Sequence, residues 1–96
     1  MSDKSAFVEK FKAKLNSWNA EVDQLQARAR EAKADAKLEY QEKINDLRAK
    51  RDRARYKLEQ VEDAGSDAWQ ELKEDAQSAW GDFENALDNA RSSITA

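Results

Sequence analysis

Residues 61–73 read Val61-Glu62-Asp63-Ala64-Gly65-Ser66-Asp67-Ala68-Trp69-Gln70-Glu71-Leu72-Lys73, and they hold the one clear break in the chain. Gly65 suits the left-handed backbone conformation that ends many helices. Ser66 or Asp67 is placed to cap a following helix, and Asp67 with Gln70 has the spacing of a capping box. Glu71, Glu74 and Asp75 then fall near the start of that helix, where negative charge is favoured. One helix is expected to end just before Gly65 and another to begin just after it.

Downstream of the break the chain repeats itself. Ala68-Trp69-Gln70-Glu71-Leu72 is echoed by Ala79-Trp80-Gly81-Asp82-Phe83, and more faintly by Ala90-Arg91-Ser92-Ser93-Ile94. A repeat of this length has about 3.67 residues per turn, so its stripe runs nearly straight along a helix. It predicts an arm over 66–94 with Trp69, Leu72, Ala76, Trp80, Phe83, Leu87, Ala90 and Ile94 on one face.

Upstream, the apolar positions Ile44, Leu47, Ala54, Leu58 and Val61 continue a stripe that Arg51 interrupts, which predicts an arm over 37–64. Charge pairs these two arms antiparallel. Arg48, Lys50, Arg51, Arg53, Arg55 and Lys57 crowd one stretch, and the final arm carries Asp67, Glu71, Glu74, Asp75, Asp82, Glu84 and Asp88. Folding at Gly65 is expected to bring Arg55 and Lys57 near Glu74 and Asp75, and Arg48 near Asp82 or Glu84. Single exposed pairs contribute only about 0–1 kcal/mol, but facing charges of opposite sign select an orientation.

The first arm, over 5–34, opens after Ser2, Asp3 or Ser5 as possible caps. It carries Val8, Phe11, Leu15, Trp18, Val22, Leu25, Ala29, Ala32 and Ala36, with steps alternating between three and four. That is the seam of a coiled coil. The register slips at Ala36, Tyr40 and Ile44, which are four apart. A slip marks either local unwinding or a break. No Gly, Pro or Asn lies between Ala20 and Ile44, so a turn there has no chemical signal except Asp35. Two architectures follow. The chain turns near Asp35 and closes a three-helix bundle, or 5–64 stays one helix of about 90 Å and two chains swap arms in an antiparallel dimer. In the dimer Ala29, Ala32 and Ala36 meet near the two-fold axis. The missing turn chemistry favours the swapped dimer.

Composition agrees with an all-α fold built as a long-helix antiparallel coiled coil or three-helix bundle. The 96 residues suit one domain, over 1–96; 39% are charged, there is no Pro, and Gly occurs only at 65 and 81. Leu, Ile, Val and Phe make up roughly a sixth of the chain, and the net charge is only −3. A narrow apolar stripe satisfies both facts better than a thick core or a disordered chain. The expected core is Phe7, Phe11, Leu15, Trp18, Val22, Leu25, Ile44, Leu47, Leu58, Val61, Trp69, Leu72, Trp80, Phe83 and Leu87, with Gly65 and Ser66 at the turn.

Chemistry is sparse. There is no His and no Cys, so the commonest general base, metal ligands and thiolate nucleophile are missing. No phosphate-cradling Gly loop or nucleophile elbow occurs. Asp63, Asp67 and Glu71 lack the spacing of a calcium loop and read as capping residues. No catalytic residue, cofactor or metal site is expected. The basic run 48–57 has only Tyr56 as an aromatic companion and the pI is near 5.0, so nucleic-acid binding is not expected either. No apolar run is long enough to span a bilayer, and no signal peptide's apolar segment follows the first residues. A cytoplasmic location is the default expectation.

Several strings have a familiar cast: Trp18-Asn19-Ala20-Glu21-Val22-Asp23, Ala34-Asp35-Ala36-Lys37-Leu38-Glu39-Tyr40, Leu47-Arg48-Ala49-Lys50-Arg51-Asp52, and Gly65 through Lys73. The chain from about Phe11 to Phe83 resembles small bacterial coiled-coil domain proteins of uncharacterised function. That resemblance implies a short bacterial helical protein and carries no activity or ligand with it. The repeat alone is similar to apolipoprotein-like and granule-coating helices. The expected function is non-enzymatic: a structural or interaction protein that forms a homo-oligomer, with a dimer favoured, or binds a protein partner through coiled-coil surfaces. The alternative is a peripheral amphipathic helix protein on a membrane or storage-granule surface.

Overall fold

The computed structural model describes residues 3–65 and 67–94, so Ser66 of the expected turn lies outside the described residues. The chain forms α1 (Asp3–Arg30), α2 (Ala34–Asp63) and α3 (Trp69–Ile94), with no strand among the described residues. They pack as a three-helix bundle 51 Å long and 19 by 17 Å across. α2 runs antiparallel to both neighbours, so α1 and α3 are parallel.

The first reversal departs from the favoured expectation. The chain does not continue as one helix through residues 31–33, and the turn comes before Asp35. α1 ends in a tightened turn, in which the Glu31 and Ala32 amides donate to Arg28 and Ala29 at 3.1 and 3.2 Å. Lys33 is extended, with φ −65° and ψ 154°, and α2 starts at once behind it. Asp35 sits in the first turn of α2, facing the positive end of the helix dipole. This reversal needs no left-handed residue, which is why no Gly or Asn marks it.

The second reversal lies at Gly65 as expected but is built differently. Ala64 ends α2 in an extended conformation, φ −74° and ψ 146°, and no described residue, Gly65 included, has a positive φ. The Gly65 carbonyl accepts from the Ala68 and Trp69 amides at 3.1 and 3.2 Å. Those bonds lead the chain into α3, which begins at Trp69. Asp67 lies exposed in the turn ahead of α3.

The core runs the length of the rod. It holds Phe11, Leu15, Trp18, Val22, Leu25 and Ala29 of α1, and Ile44, Leu47, Ala54, Leu58 and Val61 of α2. From α3 come Trp69, Ala76, Ala79, Phe83, Leu87, Ala90 and Ile94. α2 and α3 approach most extensively and α1 and α3 least. Side-chain size explains the difference. The Lys57–Asp75 pair, at 4.0 Å, sets the α2–α3 register, and that register levels Ala54 with Ala79, both fully enclosed. Small residues let the backbones close in. Between α1 and α3 the space is filled by rings instead.

Candidate interaction surface

Five aromatic rings form a continuous chain through the α1–α3 side of the bundle. Phe7 meets Phe11 edge-on at 5.8 Å, and Phe11 meets Trp80 at 4.8 Å and Trp18 at 6.0 Å. Trp18 lies edge-on to Trp80 at 5.6 Å and stacks on Phe83 at 4.3 Å. Edge-to-face pairs of this kind add about 0.5–1.5 kcal/mol beyond the area they bury. The first arm's Phe11 and Trp18 thus find their partners on the final arm, at the two echoed aromatic positions of its second repeat.

The two ends of this ring chain reach the surface. Phe7 and Trp80 are only partly buried, and between them lies a cleft of about 310 Å³ lined by Phe7, Lys10, Gln77, Trp80 and Gly81. The helical stripe explains the exposure. Ala79 is 2% exposed and takes the inward position, which turns Trp80 toward the flank facing α1. Gly81 contributes no side chain, and a Cβ there meets nothing within 4 Å. The Trp80 indole donates to the Glu84 carboxylate one turn on. Beside the cleft, the Lys73 ammonium lies 5.6 Å from the Phe7 ring and 5.5 Å from the Trp69 ring. The arrangement sets partly open aromatic surface beside the Lys10 and Lys73 cations.

The basic run of α2 takes several partners. Lys50 pairs with Asp46 at 3.0 Å and Arg55 with Glu59 at 3.9 Å, both within α2. Lys57 pairs with Asp75 as charge patterning predicts. Arg55 does not reach Glu74 or Asp75, because its helical position points toward α1. Arg51 occupies the seam position where an apolar residue was expected. Its guanidinium leaves the core and donates to Asn19 of α1 at 3.1 Å and to Asp52. Lys12–Glu62 and Arg91–Glu21 tie the other two helix pairs.

Of the residues read as core from the sequence, Phe11, Leu15, Trp18, Val22, Leu25, Ile44, Leu47, Leu58, Val61, Trp69, Phe83 and Leu87 are buried. Phe7, Leu72 and Trp80 pack against that core while remaining partly open. Leu38 and Tyr56, 71% and 57% exposed, stand on the outer side of α2. Sequence reasoning missed two contributors. Ala79 is enclosed although it lies one residue off the repeat's Trp position. Lys4 reaches across to donate to the carbonyls of Glu62 and Ala64 at 2.9 and 2.6 Å, closing the end of α2, whose last turn holds no basic residue.

Among the described residues no cluster of acidic, His or Cys side chains is grouped to hold a metal ion, and no helix is long and apolar enough to cross a membrane. Comparison with known proteins finds no family model, no curated protein and no solved structure that matches the chain.

Proposed function

We propose that this chain is a non-enzymatic helical interaction module that self-associates or takes a protein partner's amphipathic helix into the α1–α3 groove. The observation that carries the reading is the Phe7–Trp80 cleft. There two large aromatic side chains, each packed edge-on against Phe11, reach the surface together beside Lys10 and Gln77, with Lys73 over the outer side of Phe7. Aromatic anchors in a shallow pocket with a polar rim are the usual energetic centre of a protein interface. A bacterial setting belongs to the same reading and rests on the resemblance of the quoted strings, and a cytoplasmic location belongs to it as the default.

The test is Gly81→Arg, which places a long cation over the cleft from a position with open space around it. Cross-linking to a synthetic amphipathic helical peptide should capture a complex with the native chain and lose it in the variant. Equal association in both removes the cleft from the proposal. The same partly open aromatics beside two lysines also suit a lipid or granule surface. Vesicle flotation of the native chain, repeated with Gly81→Arg, separates the two readings.

A further inference from the structure

We propose that the 31–33 turn is a hinge that straightens, so that two copies exchange α1 and each α1–α3 groove is built from two chains. This inference rests on the self-association reading above and specifies its route.

The turn is chemically a poor stop. Glu31, Ala32 and Lys33 are all residues that favour helix, as are Arg30 and Ala34 on either side. Neither Gly nor Pro enforces the break, and no residue there adopts a positive φ. Lys33 caps α2 without any side-chain hydrogen bond. A helix end leaves its outer amides and carbonyls without intrahelical partners, and a continuous helix supplies them. Among the described residues, the backbone bonds that compensate at the end of α1 are the two from the Glu31 and Ala32 amides, each reaching back three residues. The turn therefore holds because α1 packs on α2 and α3, and that packing is equally satisfied by the α1 of another copy.

The register allows the exchange without repacking. The α1–α2 contacts Lys4–Ala64, Asn19–Arg51 and Lys12–Glu62 have midpoints at residues 34, 35 and 37. Two straightened helices crossing antiparallel in this register have their two-fold axis at the hinge, with Ala32 and Ala36 on either side of it. Both alanines are only partly covered in the single chain, and they line an open hollow with Tyr40 and Ile94 at that end of the bundle. A second copy covers the hollow with the same residues, and small side chains there permit close approach. In the exchanged form Phe7 comes from one chain and Trp80 from the other, so the cleft is shared.

The chain has no Cys, which makes a clean cross-linking test possible. Asn19→Cys and Arg51→Cys are prepared as separate variants, mixed, unfolded and refolded together at high protein concentration. A short bifunctional thiol reagent is then applied, with mass measured by light scattering. The expected result is a dimeric mass and a covalent link between the two variants. The double variant on one chain, cross-linked at high dilution, checks that both substitutions fold and that the sites lie within reach. Inserting Gly-Ser-Gly after Ala32 should lower the dimer fraction by roughly tenfold, because a relaxed loop favours closure within one chain. A dimeric mass without the mixed link overturns the exchange and leaves association through outer surfaces standing. A monomeric mass at every concentration overturns the exchange and leaves only binding of a different partner.

Discussion

Trp18 is the side chain on which most of the core depends. It is 2% exposed and touches Phe11, Trp80 and Phe83, so it joins the two parallel helices that approach each other least. Trp18→Ala should cost about 3–5 kcal/mol, measured as a fall in the urea midpoint. A domain whose whole stability is about 5–15 kcal/mol would be left marginal or unfolded. The two glycines should behave oppositely to conserved turn glycines. Gly81 lies within α3 with open space around it, and Gly81→Ala should stabilise by about 0.5–1 kcal/mol. Gly65 has neither a positive φ nor a neighbour that an added Cβ would strike, so Gly65→Ala should leave the melting temperature unchanged or raise it. A fall of several degrees in Gly65→Ala would show that the turn visits a left-handed state.

Helices and their ends were unequally legible. The stripes through Val22, Leu47 and Leu87 predict which faces turn inward, because burial follows helical period directly. Arg51 looked like a defect in its stripe, and its long side chain resolves the conflict by reaching out to Asn19. The α1–α2 turn had no signature because an extended Lys33 is open to every residue type. Lys4 closing the end of α2 was not legible either, since the two lie far apart in sequence and meet only after folding. Hydrogen bonds from a charged donor contribute about 1.5–3 kcal/mol. Lys4→Met keeps the stem and removes the donor. Because Lys4 is partly open to solvent, it should destabilise by about 1–2 kcal/mol, a drop of several degrees in melting temperature for a domain of this size. Lys4→Arg should recover part of that loss.

As a whole molecule the bundle is held by one apolar core and trimmed by surface charge. The ion pairs between helices, Lys12–Glu62, Lys57–Asp75 and Arg91–Glu21, are all at least partly open to solvent, with side-chain exposures from 24% to 62%. Such pairs are weak and screened by salt. Raising salt from low ionic strength to about 1 M, where the screening length falls to about 3 Å, should therefore shift the melting temperature by only a few degrees. The aromatic cluster predicts a stronger signature. Circular dichroism should show full helicity and a single cooperative melt without lipid, and tryptophan emission should shift to the red as Trp18 and Trp69 become exposed. Helix that forms only when vesicles are added would overturn the internal role of the aromatic faces and favour the surface-binding alternative.

The sequence by itself determined the all-helical class, the inward faces of the three helices and the antiparallel pairing across Gly65. These follow from local preference, helical period and charge pattern, all of which are properties of near neighbours along the chain. Only the tertiary structure decided where α1 ends, because residues 31–33 hold no Gly, Pro or Asn to mark a stop and the packing of α1 along α2 sets the turn. It also decided that Ala79 turns inward and Trp80 toward the flank, leaving the cleft beside Phe7 that the functional proposal rests on. That choice depends on how closely α2 approaches α3, a distance set by side chains from two helices at once.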